Sequence, residues 1–162
     1  MMKESIGIGL GERYISTSAD EVLVAYGLGS CLGICMIDPT HNVAGLLHAV
    51  LPVRNNGAEP FSAKFVDSGI EGLLDEMIKA GAHKHKMFVR MVGGANMLLS
   101  PGLSNTFDIG SRNIESARHT LQRLNLFVEK EDVGGHAGRT FRVYVGSGRT
   151  TVKIVGGTER DL

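Results

Sequence analysis

GLGSCLGICMIDPTHNVAGLLHAVLP, residues 27–52, holds two apolar runs separated by Pro-Thr-His-Asn. Neither run alternates polar with apolar side chains; each is apolar on both faces, the pattern of a central strand covered on either side. Residues 30–38 and 43–52 therefore read as strands, with Pro39, Thr40, His41 and Asn42 between them. Upstream, EVLVAY (residues 21–26) is β-branched and apolar and ends at Gly27, a third strand.

Downstream, VRNNGAEP (residues 53–60) opens a polar loop, and then the period changes. Val66, Ile70, Leu73, Leu74, Met77 and Ile78 form one stripe of an amphipathic helix ending at Gly81. KMFVRMV (residues 86–92) is the next strand, closed by Gly93-Gly94. A glycine- and serine-rich loop leads to a second helix, NIESARHTLQRL (residues 113–124), with Ile114, Ala117, Leu121 and Leu124 inward. LFVEKEDV, TFRVYV and TTVKIV return to strands, the last two flanking a turn at Gly146-Ser147-Gly148. The 22 glycines punctuate the ends of apolar segments rather than form a linker. The order predicts an α/β fold of mostly antiparallel strands with two main helices on one side, a layered sandwich rather than a doubly wound sheet.

At 162 residues the chain reads as one domain, 1–162, and its 43% hydrophobic and 21% charged content is that of an ordinary globular protein. Lys plus Arg and Asp plus Glu both count 17, so nothing in the charge points to nucleic acid or a membrane surface. The longest apolar run, VAGLLHAVLPV, is far short of a membrane span. MMKESIGIGLGE lacks the apolar core of a signal peptide, and two cysteines four residues apart make a poor staple, so a reducing cytoplasm is the expected location.

Cys31 stands at a glycine turn, and strand geometry relates it to His48. A connection of even length puts both on one face of the paired strands: a two-residue loop at Pro39-Thr40 sets them opposite, at roughly 5 Å between Cβ atoms, and a four-residue loop, 39–42, makes them diagonal neighbours at roughly 7–8 Å. An odd loop separates them. A thiol beside an imidazole is the minimal apparatus for acyl transfer: an imidazolium stabilises the thiolate, and the same ring can protonate a departing amine. Gly29-Ser30-Cys31-Leu32-Gly33 has the G-x-nucleophile-x-G form, in which small neighbours permit a sharp turn and leave backbone N–H groups for an oxyanion. The competing reading of a cysteine in an apolar run is a small buried hydrophobe, which we take for Cys35 and keep open for Cys31.

The remaining chemistry-bearing groups read as structural. Gly93-Gly94 and Gly134-Gly135 lack the lysine and spacing of phosphate loops. His83 and His85 make an H-x-H without a neighbouring carboxylate or thiol, hence a solvated helix end rather than a metal site. His41 and His119 read as surface residues, His136 as one that approaches the cleft, the 53–60 loop as a mobile rim, and Arg112 and Asn113 as serving the start of the second helix.

GLGSCLGICMIDP, then His48 in GLLHAVLP, together with IGIG, MVGGANM, IGSRNIES, DVGGHAGRTFRV and GRTTVKIVGG in order, resembles the CheD family of chemoreceptor glutamine deamidases along nearly the whole chain. The resemblance implies two β layers with helices outside, an α/β/β sandwich. It implies Cys31 as nucleophile and His48 as general base and acid, with Gly29 and Ser30 at the oxyanion turn and no metal or organic cofactor. The family's threonine six residues before the cysteine, thought to orient the histidine, is Ala25 here. A backbone carbonyl, a water or a hydroxyl such as that of Ser30 then has to orient the ring. The implied substrates are glutamines, and also glutamyl methyl esters, on chemoreceptor cytoplasmic domains, and the implied partner is the CheC phosphatase. With Ala25 in place of threonine, a mainly non-catalytic partner of CheC and receptors is the alternative.

Overall fold

The computed structural model of the chain describes residues 3–97 and 108–162; the glycine- and serine-rich loop expected before the second helix falls largely outside them. The element order is β1 (Glu4–Gly7), β2 (Glu12–Ser16), β3 (Glu21–Leu28), β4 (Leu32–Asp38), β5 (Val43–Ala49), α1 (Val66–Lys79), a 3-10 turn (Lys84–Lys86), β6 (Phe88–Gly93), α2 (Ile109–Arg123), β7 (Val128–Val133), β8 (Arg139–Tyr144), β9 (Thr150–Ile154) and β10 (Glu159–Asp161).

Strands β4 and β5 are buried at every residue, as their two-faced apolar sequence demands. They lie side by side within a five-stranded sheet ordered β2-β5-β4-β6-β7; a second sheet runs β1-β3-β8-β9-β10. Pairing is antiparallel apart from β1 with β3 and β6 with β7. The pleat of β4 divides its side chains between two cores. Leu32, Ile34 and Met36 join Val43, Leu47 and Ala49 of β5 and the inward stripes of both helices, Val66, Ile70, Leu73 and Met77 with Ala117 and Leu121. Cys35 and Ile37 join Ala44 and Leu46 of β5 and Leu23, Leu28, Phe141, Val143 and Val152 from the other sheet. Helices, sheet, sheet: the architecture is an α/β/β sandwich. At roughly 25 cal/mol per Å² of apolar surface, these two cores are the principal stabilisation of the fold.

Helix α1 lies close on the first sheet because Gly45 leaves room beneath it: a Cβ there would come within 2.9 Å of Leu73 and 3.1 Å of the Met77 sulfur. The expected stripe is right except for Ile78, which is exposed at 48%. Helix α2 begins earlier than its apolar period suggests, because Asp108 caps it, accepting from the Ser111 N–H at 3.0 Å and the Ser111 hydroxyl at 2.6 Å. Strand β4 begins at Leu32 rather than Ser30, since Gly29, Ser30 and Cys31 form a bend. Strands β1, β2 and β10 escape a sequence reading because they are short, polar or glycine-flanked edge strands without a two-residue apolar period.

Candidate active site

In the β4–β5 hairpin Asp38 pairs with Val43 and Gly33 with His48, so the connection is the four-residue loop Pro39 to Asn42, closed by Asn42 at a left-handed φ of 53°. The even count puts Gly33 and His48 on one face of the paired strands. Gly33 looks into the inter-sheet space, where a Cβ would touch Leu28 and Phe141, and His48 opposite it shares that face. Cys31 also packs against the inter-sheet core. It stands in the bend just before β4, outside the ladder that holds His48.

His48 is 3% exposed, and its ring has one hydrogen bond, from Nδ1 to the Ile8 carbonyl at 2.9 Å. A carbonyl only accepts, so Nδ1 carries the proton and the Nε2 lone pair is left over. Nε2 is buried with no hydrogen-bond partner among the described residues. Ile8 comes from the loop that crosses between the sheets. Its N–H bonds Val24 at 2.8 Å, continuing the β1–β3 pairing, and three residues on the Gly11 N–H bonds the carbonyl of His48 itself at 2.9 Å. Glu12, facing His48 in the β2–β5 register, accepts the Gly9 N–H at 2.7 Å and pins the loop. No local pattern in residues 8–12 announces this role.

Cys31 is half-buried and free. Burial pushes its thiol up, and its own backbone N–H only partly opposes this. The sulfur therefore keeps its proton until a base takes it, which differs from a preformed thiolate. Cys35, fully buried, is pushed up to about 12, first by burial and in spite of the N–H and charge of Arg90; it is inert, as the sequence suggested.

A cavity of about 520 Å³ reaches His48, lined also by Gly7 to Leu10, Glu12, Tyr26 and Gly27. Leu10 and Tyr26 are exposed and give its mouth an apolar rim. Cys31 does not line it; Ser30 lines a smaller cavity of about 150 Å³ with Ala95, Asn96, Met97 and residues 108–110.

All three carbonyls of the Gly29–Ser30–Cys31 bend are held from outside: Gly29 by the Ala95 N–H at 2.8 Å, Cys31 by the Gly94 N–H at 2.9 Å, and Ser30 by the Asn113 side-chain amide at 2.8 Å. None of the three N–H groups donates to another described residue. Gly93 has to be glycine here, with φ of 118° and the Cys31 carbonyl oxygen where a Cβ would stand. Gly93-Gly94 thus turns against the Cys31 bend, and Gly134-Gly135 turns against Gly93, with Gly134 N–H to Gly93 O at 2.9 Å.

The CheD model, described as chemotactic sensory transduction, matches residues 50–154. Probable chemoreceptor glutamine deamidases CheD align over most of the chain: that of Symbiobacterium thermophilum is 38% identical, covering 96% of this chain and 95% of its own length. Those of Caldanaerobacter subterraneus and Pyrococcus abyssi are each 37% identical, with 96% of both chains covered. The chain belongs to the CheD family. Its Cys31 and His48 precede the stretch that the family model matches, but the full-length alignments span nearly the whole of the chain.

In this CheD family member the remaining histidines lie elsewhere, except one. His136 donates from Nδ1 to Asn96 O, 2.9 Å away, beside the small cavity that Ser30 lines. His41 and His83 stack at 4.1 Å and His85 meets His83 edge-on, at the far end of the hairpin. No group of three metal-binding side chains occurs among the described residues, and none of their helices is long and apolar enough to cross a membrane. His119 is exposed on α2. The 53–60 loop does not lie over His48 as a whole: Val53 borders a groove with α2, while Glu59 borders a neighbouring cavity of about 600 Å³ that shares Gly7, Ile8 and Glu12 with the His48 cavity. Ala25 is fully buried in the inter-sheet core and offers no polar atom, so the Ile8 carbonyl is the group that meets the His48 ring. Asn113, read as a helix-start residue, does something else: the cap is Asp108, and Asn113 reaches the Cys31 bend.

Proposed function

We propose that this chain is a glutamine deamidase acting on chemoreceptors, with Cys31 as nucleophile and His48 as base and acid. The observation that supports it best is the imidazole whose Nδ1 proton is committed to Ile8 O while a buried Nε2 stands without a partner among the described residues. Such an orphaned nitrogen costs stability, and a proton taken from the nucleophile repays it.

In the reaction Nε2 takes the proton of Cys31 as the sulfur attacks the side-chain amide carbon of a glutamine. The amide oxygen becomes an oxyanion, met by free N–H groups of the Gly29–Ser30–Cys31 bend. The imidazolium then gives its proton to the amide nitrogen, the C–N bond breaks and ammonia leaves a thioester. Water, deprotonated by Nε2, attacks that thioester; the C–S bond breaks, the thiol regains its proton from the ring, and glutamate remains. A glutamyl methyl ester follows the same course with methanol leaving. The substrate places the protein in the cytoplasm, at receptor signalling domains, and CheC is the proposed regulatory partner.

Ala25 favours a second reading, a binding module for CheC and receptors without turnover. The test is to incubate the protein with a chemoreceptor cytoplasmic fragment and follow glutamine-to-glutamate conversion by peptide mass spectrometry, with Cys31→Ala and His48→Ala as controls. Conversion by the wild type and by neither variant is the expected result. No conversion, with tight binding to CheC, would establish the module instead.

A further inference from the structure

Where the β4–β5 ladder ends, one side-chain amide takes over. The last regular pair is Leu32 with Ala49, and the next position would set Cys31 against Val50. Val50 turns its N–H away to Lys64 O at 2.9 Å. Its carbonyl is instead met at 3.1 Å by the Nδ2 of Asn113, which also donates to Ser30 O at 2.8 Å. Asn113 is fully buried on α2, and its Oδ1 has no partner among the described residues, so the two carbonyls alone determine which way the amide points.

The consequence follows from peptide planarity. Ser30 C=O and Cys31 N–H belong to one rigid unit and point in opposite directions. Holding Ser30 O against α2 therefore aims the Cys31 N–H the other way, away from α2. Without Asn113 nothing else among the described residues bonds Ser30 O, and the peptide is free to turn its dipole over, presenting a carbonyl where a developing oxyanion needs a donor.

We infer that Asn113 is a positioning residue for the oxyanion hole: by tying Ser30 O to Val50 O it fixes the Cys31 amide as the donor to the tetrahedral intermediate. The inference rests on the reading of Cys31 as an acyl-transfer nucleophile. It separates two kinds of cysteine chemistry. Alkylation by iodoacetamide displaces iodide at a saturated carbon and builds no oxyanion; acylation by p-nitrophenyl acetate passes through one.

The experiment compares both reactions at Cys31 in the full chain, by intact mass and by nitrophenolate release, for wild type, Cys31→Ala, Asn113→Ala and Asn113→Ser. Asn113→Ala is expected to slow acylation about 10²-fold while leaving the alkylation rate unchanged. With receptor substrate, the same loss is expected in kcat rather than in KM. Asn113→Ser keeps one hydroxyl donor and should recover part of the acylation rate; it also serves should the alanine variant fold poorly. Equal loss of both reactions would reduce Asn113 to a packing role, and no loss of acylation in a folded variant would overturn the inference outright. Failure of the wild type itself to be acylated at Cys31 would instead overturn the catalytic reading, and this inference with it.

Discussion

The two ends of the β4–β5 hairpin each hold a histidine, and they treat it in opposite ways. At the closed end His41 Nδ1 meets the Asp38 carboxylate at 2.7 Å, and its ring stacks on His83. Asp38, fully buried, also accepts the N–H groups of His41 at 3.2 Å and His83 at 2.8 Å. Burial alone would raise this carboxyl, but the His83 N–H, then the His41 ring and N–H, outweigh it and hold it below the usual carboxylate range. At the open end His48 meets a neutral carbonyl and keeps Nε2 unsatisfied. A carboxylate partner stabilises an imidazolium and locks a turn; a carbonyl fixes the tautomer yet leaves the ring a neutral base. The same pair of strands thus has one end where a buried carboxylate is met by three donors and one where two kinds of group, a ring nitrogen and the bend's amides, are left without a partner among the described residues.

The most severe way to break this contrast is at the open end. Cys31→Ala and His48→Ala are each expected to lower deamidation of receptor peptides by about 10³-fold or more, while Cys31→Ala leaves the melting temperature near that of the wild type. At the closed end the expected signature is reversed. Asp38→Ala removes a buried carboxylate together with its three hydrogen bonds to His41 and His83 and should cost about 2–4 kcal/mol by urea unfolding, with the deamidation rate per folded molecule unchanged.

Two smaller effects sharpen it. Cys35 holds its proton in the fold up to about 12, whereas an unfolded thiol releases it near 8.5. Unfolding then releases a proton, so stability should fall as pH rises from about 9 toward 12, by at most about 1.4 kcal/mol per unit. Cys35→Ala should flatten that slope. The acid side has the opposite sign: Asp38, depressed in the fold, contributes stability that is present above about pH 3.9 and lost as pH falls through its folded value. Least of all, His41→Ala should cost about 0.5–1 kcal/mol, since the ring is partly exposed and the turn keeps its other bonds.

Much of the molecule was legible in the chain. Continuous apolar runs in β4 and β5 announced covered strands, a 3.6-residue stripe announced α1, and glycines marked turns. The misses share a cause. Edge strands β1, β2 and β10 are held by pairing rather than by a buried face, Ile78 has the residue type of the core but stands on the open side of its helix, and α2 starts at an Asp108 cap rather than at its first apolar residue. A thiol at a glycine turn showed which residue to consider for catalysis, though not that burial would keep it protonated.

The facing of Gly33 and His48 was decided within residues 33–48, because a strand repeats every two residues and the four-residue connection preserves that parity. What answers the ring and the bend was decided only by tertiary packing. Ile8 lies 40 positions from His48, and Asn113 lies 83 from Ser30. A backbone carbonyl leaves no trace in residue identity, and a buried asparagine shows its purpose only once two sheets and a helix have enclosed the groups it must satisfy.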